Sequence, residues 1–369
     1  MSHMFRQDVV SQAHIMVVGC GALGNEVLKD LVLMGVRHIV AVDFDVVERD
    51  NLSRSVLFTA DDADERRSKA LVAAKRLQAM NPDVQVKAIC GDIACDVGLG
   101  LLRQMDVVIG CVDNRWARYC INRLCMRAGK PWVDGAINGL EGTARVFMPG
   151  RNCYACNLGP EGLRDLHYRM PCAGVIRRAV DAGKAPTTAI VASVIGAVQV
   201  QEALKLLHAQ ELEQGAMTSL CGKMFYYEGE CLTTRLVDFQ AYDDDCAVHE
   251  CWMPVTTSTL TVDSTVSEAL AQLPGTIQLV NDCFVDYVAQ RSDDSRVVVK
   301  LPGRRVAGYV ERHPLLTGVP FSALYQHEWR EIDGSFPYQE LTLREIGIPE
   351  HDVLCVTTQD KEYYYELSN

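Results

Sequence analysis

Ile15 to Val18 is an unbroken apolar run of strand length, bounded by polar and glycine residues, and it predicts a strand buried on both faces. From Ala22 the period changes: apolar positions recur at helical spacing to about Met34, and Gly35 ends the helix. A second apolar run, His38 to Val42, is the next strand, and Asp43 closes it 19 residues after Gly24. Met105 to Cys111 reads as a further buried parallel strand, followed by a helix over Arg115 to Arg127. The segment PTTAIVASVIGAVQVQEALKLLH, opening at Pro186, is apolar nearly all round and predicts a helix buried in the protein. Beyond Cys251 the pattern changes again. WMPVTTSTLTV reads as a linker and a strand, and Ser264 to Leu273 as a helix ended by Pro274 and Gly275. SRVVVKL and RVAGYV read as strands around Gly303, and the chain closes with a short helix, Gly347 and two roughly alternating strands.

With 369 residues the chain is too long for one ordinary core, so two domains are expected, 1–252 and 253–369. Its 48% hydrophobic and 23% charged residues are ordinary globular values, and no apolar run reads as a membrane span. The formal net charge of −12 argues against a nucleic-acid partner. Residues 254–369 hold 17 acidic against 9 basic residues, about −8, which suits a basic protein partner. Fifteen cysteines, an odd number, with no secretory pattern at the start, predict a reducing, cytoplasmic setting in which some thiols are metal ligands or nucleophiles.

Gly19, Gly21 and Gly24 form a GxGxxG turn between strand and helix, and Asp43 is placed for a ribose hydroxyl. That fingerprint specifies a nucleotide without separating NAD from ATP. The cations that follow favour a triphosphate: Arg54, with Asn51 before it, and Lys69. Asp113 and Asn114 stand at the carboxyl end of a predicted strand, where a carboxylate can hold Mg²⁺. Each has a plainer reading, as solvated charge for Arg54 and Lys69 and as a helix N-cap for Asp113. Cys153 and Cys156 form one chelating pair and Cys246 and Cys251 another, a ligand set for structural Zn²⁺, with His249 as a substitute ligand and unliganded thiols as the alternative. Gly159 to Pro186 reads as a long loop rich in Gly, Pro and charge. There Cys172, near Arg169, Arg177 and Arg178, is the expected nucleophile, because positive surroundings favour thiolate.

The series GCGALG, VDFD, NLSR, SKA, CVDN and CYAC, over roughly residues 5–252, resembles the ThiF/MoeB superfamily of adenylation domains. These serve ubiquitin-like activators and the sulfur-carrier activators of thiamine and molybdopterin synthesis. The resemblance implies an α/β fold: a Rossmann-like adenylation domain with a mixed sheet and structural zinc, a crossover loop at about 159–186, and a C-terminal β-grasp (ubiquitin-fold) domain. It implies ATP on Gly19, Gly21 and Gly24, ribose on Asp43 with Asp45 beside it, phosphates on Asn51, Arg54 and Lys69, and magnesium on Asp113 with Asn114 adjacent. FRQ matches part of a family segment whose arginine reaches the other subunit's nucleotide, which makes Arg6 the candidate in a homodimer. The C-x4-C half of the metal set is most similar to the ubiquitin-fold-modifier activator. By position, Cys172 would be the thioester cysteine. The implied activity is adenylation of a ubiquitin-like protein's glycine tail, thioester formation on Cys172, and transfer to a conjugating enzyme docked on residues 253–369. Compact homodimeric activators of this kind include those of bacterial ubiquitin-like systems linked to phage defence. A sulfur-carrier adenylase without a thioester, and a nucleotide-binding scaffold or dehydrogenase, are the alternatives.

Overall fold

The computed structural model describes residues 5–159, 162, 166, 188–279, 284–291, 298–304 and 321–368. Cys172 and the arginines near it lie outside these residues, as does RVAGYV. The described residues divide into two compact units: one comprises 5–94, 102–159, 162, 166 and 188–251, the other 95–101 and the described residues from 252 onward.

The first unit is built on an eight-stranded sheet of order β3-β2-β1-β4-β5-β6-β7-β8. Its strands are β1 (His14–Val18), β2 (His38–Val42), β3 (Gln85–Ile89), β4 (Val107–Gly110), β5 (Trp132–Asn138), β6 (Glu141–Phe147), β7 (Lys223–Glu228) and β8 (Thr233–Asp238). The first five in that order are parallel and the last three join antiparallel, so the sheet is mixed. The order 3-2-1-4-5 is that of a doubly wound nucleotide-binding sheet. It follows from strands such as Ile15 to Val18, which are buried on both faces and so need helices on each side.

The helices are α1 (Gln7–Gln12), α2 (Ala22–Met34), α3 (Ala60–Asp64), α4 (Lys69–Met80), α5 (Leu99–Arg103), α6 (Arg115–Ala128), α7 (Ala189–Leu206) and α8 (Ala209–Glu213). Helix α2 ends where expected. Gly35 adopts φ 93°, and its N–H bonds back to Leu31 and Val32 carbonyls. Helix α7 packs against α2, β5 and β6, and its Gly196 lets the Glu26 backbone region approach closely. By length and composition α7 could cross a membrane. Its buried Gln199 and Glu202 are bonded inside the unit, and Val191, Ile195, Val200 and Ala203 belong to the core, so it is a core helix.

The second unit has a five-stranded sheet of order β14-β10-β15-β16-β9 and a three-stranded sheet β12-β11-β13. Its elements are β9 (Val255–Thr257), α9 (Val266–Gln272), β10 (Thr276–Gln278), β11 (Phe284–Arg291), β12 (Val298–Arg304), β13 (Phe321–Glu328), β14 (Glu331–Ile332), β15 (Val353–Thr357) and β16 (Glu362–Glu366). Thr265 and Glu268 form a capping box that starts α9. Strands β9 and β16, the first and last of the unit, run parallel side by side. The short helix expected before Gly347 is a series of turns instead. The Leu343 and Arg344 amides donate to the Ser264 and Val262 carbonyls, which takes those donors out of any helical ladder.

Candidate functional site

The glycine turn joins β1 to α2, and each glycine has its own reason. Gly19 has φ 94°, and a Cβ there would lie 2.5 Å from the Cys111 carbonyl oxygen. A Cβ on Gly24 would lie 1.9 Å from the Gly19 carbonyl oxygen, so its absence lets α2 sit against the turn. Gly21 is the N-cap of α2. No side chain caps that end, and a Cβ there would meet no atom within 4 Å. The first turn of α2 therefore presents unpaired backbone N–H groups and its positive dipole end to approaching phosphate.

Asn25, fully buried in the first turn of α2, fixes this arrangement. Its amide donates to the carbonyls of Cys20 (2.8 Å) and Gly21 (3.1 Å), and its oxygen accepts from Leu57 N (2.8 Å). Asp43, at the end of β2, accepts from Cys20 N at 2.6 Å and Asp45 N at 2.8 Å. Burial pushes the Asp43 carboxyl up, against the opposing pull of those amides and of Lys69. Lys69, the first residue of α4, is buried, and its Nζ lies 2.9 Å from Asp45 Oδ2. Burial opposes its charge, but the bond to Asp45 and the charges of Asp43, Asp45 and Glu48 outweigh it, so its pKa is raised. The ammonium is held charged at neutral pH beside the glycine turn.

Asn51 and Arg54 lie in or just after the 3₁₀ turn Arg49–Ser53. Asn51 is buried and its oxygen accepts from Glu48 N at 3.0 Å, which gives it a turn-forming role at the place expected to meet phosphate. The Arg54 guanidinium is bonded to the Asp50 carbonyl (2.7 Å) and lies 3.4 Å from the Asp50 carboxylate. At the exit of β4, Asn114 rather than Asp113 caps α6, accepting from Ala117 N at 2.8 Å. Asp113 is left exposed, and among the described residues only the Asn114 amide donates to it, at 3.2 Å. An exposed carboxylate there suits Mg²⁺, which keeps several of its waters. Arg6 is exposed and paired with Asp8 at 2.7 Å.

The sulfur cluster lies in the same unit. The ligand atoms of Cys153, Cys156, Cys246 and His249 all lie within 4.8 Å of one another. Cys153 and Cys156 sulfurs are 3.6 Å apart, Cys153 and Cys246 sulfurs 3.9 Å, and Cys156 Sγ is 3.2 Å from His249 Nε2. Thiolates at about 2.3 Å from one tetrahedral ion stand about 3.8 Å from each other, so the spacing fits shared Zn²⁺ ligation and is far too long for a disulfide. The fourth place expected for Cys251 goes to His249. A turn with His249 N bonded to the Cys246 carbonyl (3.2 Å) brings residues 246 and 249 to one side, as the 3₁₀ turn does for 153 and 156. Cys251, two residues on, is exposed, with its sulfur 3.7 Å from the Arg127 carbonyl. The purified protein is expected to carry roughly one zinc per chain. Elemental analysis should find it lost from His249→Ala and retained in Cys251→Ala; the reverse result would restore the four-cysteine set.

Several residues that organise this edge of the sheet were not singled out from the sequence: Asn25, Arg118, Asn122, Asp134 and Gln199, all buried polar side chains. Asn122 Oδ1 accepts from Tyr154 N (3.0 Å) and Trp132 Nε1 (3.3 Å), which anchors the first cysteine pair to α6. Gln199 reaches from α7 to the Gly110 carbonyl at 2.9 Å.

Against known proteins, the profile of the ThiF family matches residues 3–248. A sulfur carrier protein adenylyltransferase of Thermus thermophilus is 37% identical over 207 residues, covering 54% of this chain and 71% of that protein. A SAMP-activating enzyme E1 of Haloferax volcanii is 32% identical over 242 residues, 66% of this chain and 82% of that protein. Among solved structures, E. coli MccB with ATP superposes with TM-score 0.52 at 23% identity, covering 66% of this chain and 68% of that one, a likeness of fold.

Proposed function

The chain belongs to the ThiF family, and from that premise we propose that it adenylates the C-terminal carboxylate of a small, ubiquitin-like carrier protein with a glycine tail. The observation that carries this reading is the uncapped first turn of α2 at Gly21 beside a buried, charged Lys69. One binds phosphate through backbone N–H groups, and the other neutralises charge on the transferring phosphoryl group. A carboxylate oxygen of the carrier attacks the α-phosphorus of ATP. The bond from that phosphorus to the bridging oxygen breaks, and pyrophosphate leaves with the electron pair. Asp43 receives the ribose, with Asp45 holding Lys69 in place, and Arg54 adds positive charge once turned from Asp50. Asp113, with Asn114 fixing its loop, would hold Mg²⁺, which supplies further neutralisation of the phosphates.

The second step assigned to this protein is attack of the Cys172 thiolate on the acyl adenylate, releasing AMP and leaving a thioester. Cys20, Cys111 and Cys125 are poor competitors, since burial pushes each thiol well up. The carrier then passes to a conjugating enzyme docked on residues 253–369, read as a β-grasp module. The parallel pairing of its first and last strands, with α9 following the first, supports that reading, as does its acidity. The active species is a homodimer in which Arg6 reaches the partner's nucleotide. A second reading is a sulfur-carrier adenylase that stops at the acyl adenylate; the name of the Thermus relative favours it. Cys172→Ala separates the two. Under the first reading the variant keeps carrier-dependent ATP–pyrophosphate exchange and loses a thiol-reversible carrier adduct on a non-reducing gel. An adduct that persists in this variant refutes the choice of cysteine, and no adduct in the wild type favours the sulfur-carrier reading.

A further inference from the structure

We propose that Arg118, anchored on Asp134, is a positioning residue that sets the loop carrying Asp113 for Mg-ATP; this rests on the adenylation reading above. Arg118 lies one turn into α6 and is 8% exposed. Its guanidinium donates to three acceptors in two segments, strand β5 and the loop between β4 and α6. Nε bonds Asp134 Oδ1 in β5 at 3.0 Å, and Nη2 bonds the Val112 carbonyl at 2.6 Å and the Gly135 carbonyl at 3.1 Å. Asp134 is fully buried and is held from the other side by Arg145 in β6.

The bond to Val112 is the informative one. Val112 is the second residue after β4 and directly precedes Asp113, so its carbonyl belongs to the peptide unit that leads into Asp113. Holding that oxygen fixes the plane of the 112–113 peptide. The Asn114 cap fixes the following turn, so the Asp113 carboxylate leaves a backbone restrained on both sides. Among the described residues, Asp113 is bonded only by the Asn114 amide, and no ion pair restrains its side chain. Its direction is therefore set by backbone, and Arg118 sets that backbone. A fixed fork is suited to this task because it donates from separate nitrogens held in one plane, whereas a lysine's three donors all sit on one mobile nitrogen. The alternative is a purely structural ion pair joining α6, β5 and β6, which would affect stability but not the response to metal.

The test is calorimetric titration of the full chain with ATP at a series of free magnesium concentrations, with melting temperature measured alongside. Groups that orient a metal-binding carboxylate typically matter 10–100-fold in metal affinity. At low magnesium, Arg118→Lys should therefore bind ATP about 10–100-fold more weakly than the wild type, and added magnesium should restore most of the loss. Asp134→Asn should show the same magnesium-dependent defect and carries the test if Arg118→Lys does not fold. Glu202→Gln, which disturbs a buried pair with Lys205 in α7, should lower the melting temperature without changing magnesium dependence. Wild-type affinity at every magnesium concentration, or a loss that magnesium does not relieve, would overturn the positioning role. Failure of the wild type to bind Mg-ATP at all would overturn the adenylation reading itself.

Discussion

Lys69→Ala should lower carrier-dependent ATP–pyrophosphate exchange by on the order of 10²–10³-fold, the effect of removing one donor aimed at transition-state charge. The reasoning starts from burial. An ammonium at 9% exposure has little water around it, and the neighbouring acids Asp45, Asp43 and Glu48 keep it charged. Such a cation is costly to keep unless something needs it, and phosphate oxygens arriving at the first turn of α2 would meet it directly. The substitution removes the charge while leaving α4 with a good helix former at its first position. The protein should therefore stay folded, with loss confined to catalysis. Exchange measured at saturating ATP, together with a melting curve, reads the two effects separately. Undiminished exchange in a folded Lys69→Ala protein would mean that Lys69 only ties α4 to the turn after β2.

The second large effect separates two glycines of the same turn. Gly24→Ala places a methyl 1.9 Å from the Gly19 carbonyl oxygen and 2.8 Å from its carbon, both backbone atoms that cannot swing aside. Helix α2 must then move away from β1, the core element it packs on, at a cost of about 3 kcal/mol or more. The expected result is a strongly lowered melting temperature or an insoluble protein. Gly21→Ala is the contrast. Gly21 has φ −73°, accessible to alanine, and its Cβ would touch nothing within 4 Å. Its stability should fall by only about 1 kcal/mol, the difference between glycine and alanine at an N-cap, far less than in Gly24→Ala. Its ATP affinity should fall at least tenfold, because the methyl occupies the approach to the helix terminus. Calorimetry and thermal melts on both variants check this. Wild-type ATP affinity in Gly21→Ala would show that the turn does not cradle phosphate.

What the sequence displayed and what it concealed differ in kind. The glycine turn was readable because backbone geometry admits few substitutes at Gly19 and Gly24, and because strand and helix periods flank it. Lys69 could be picked out as a cation, but not its pairing with Asp45, which depends on α4 starting beside the end of β2. Asn25 and Arg118 are hidden because most of their partners are backbone atoms brought close by the fold, and Asp134 because its two arginines come from different elements, α6 and β6. A signal did exist for α6: Asn114, Arg118 and Asn122 recur every four residues, so three polar side chains share one face of a helix that packs on the sheet. In the metal set, cysteine count favours Cys251 and spacing favours the substitute ligand His249, since C-x2-H repeats the geometry of C-x2-C; the ligand atom of His249 is the one that stands with the three cysteines. The turns at 341–347 read as a helix in sequence because nothing local shows that two of their amides, Leu343 and Arg344, go to carbonyls about 80 residues away.

The measurement that bears most directly on the whole account is formation of AMP and pyrophosphate by the wild-type protein, given ATP, magnesium and a carrier ending in two glycines. We expect AMP to appear only with the intact tail, and radiolabelled pyrophosphate to return to ATP in the same mixture. Absence of both with every such carrier, or a glycine turn that binds a nicotinamide dinucleotide in preference to ATP, would contradict it.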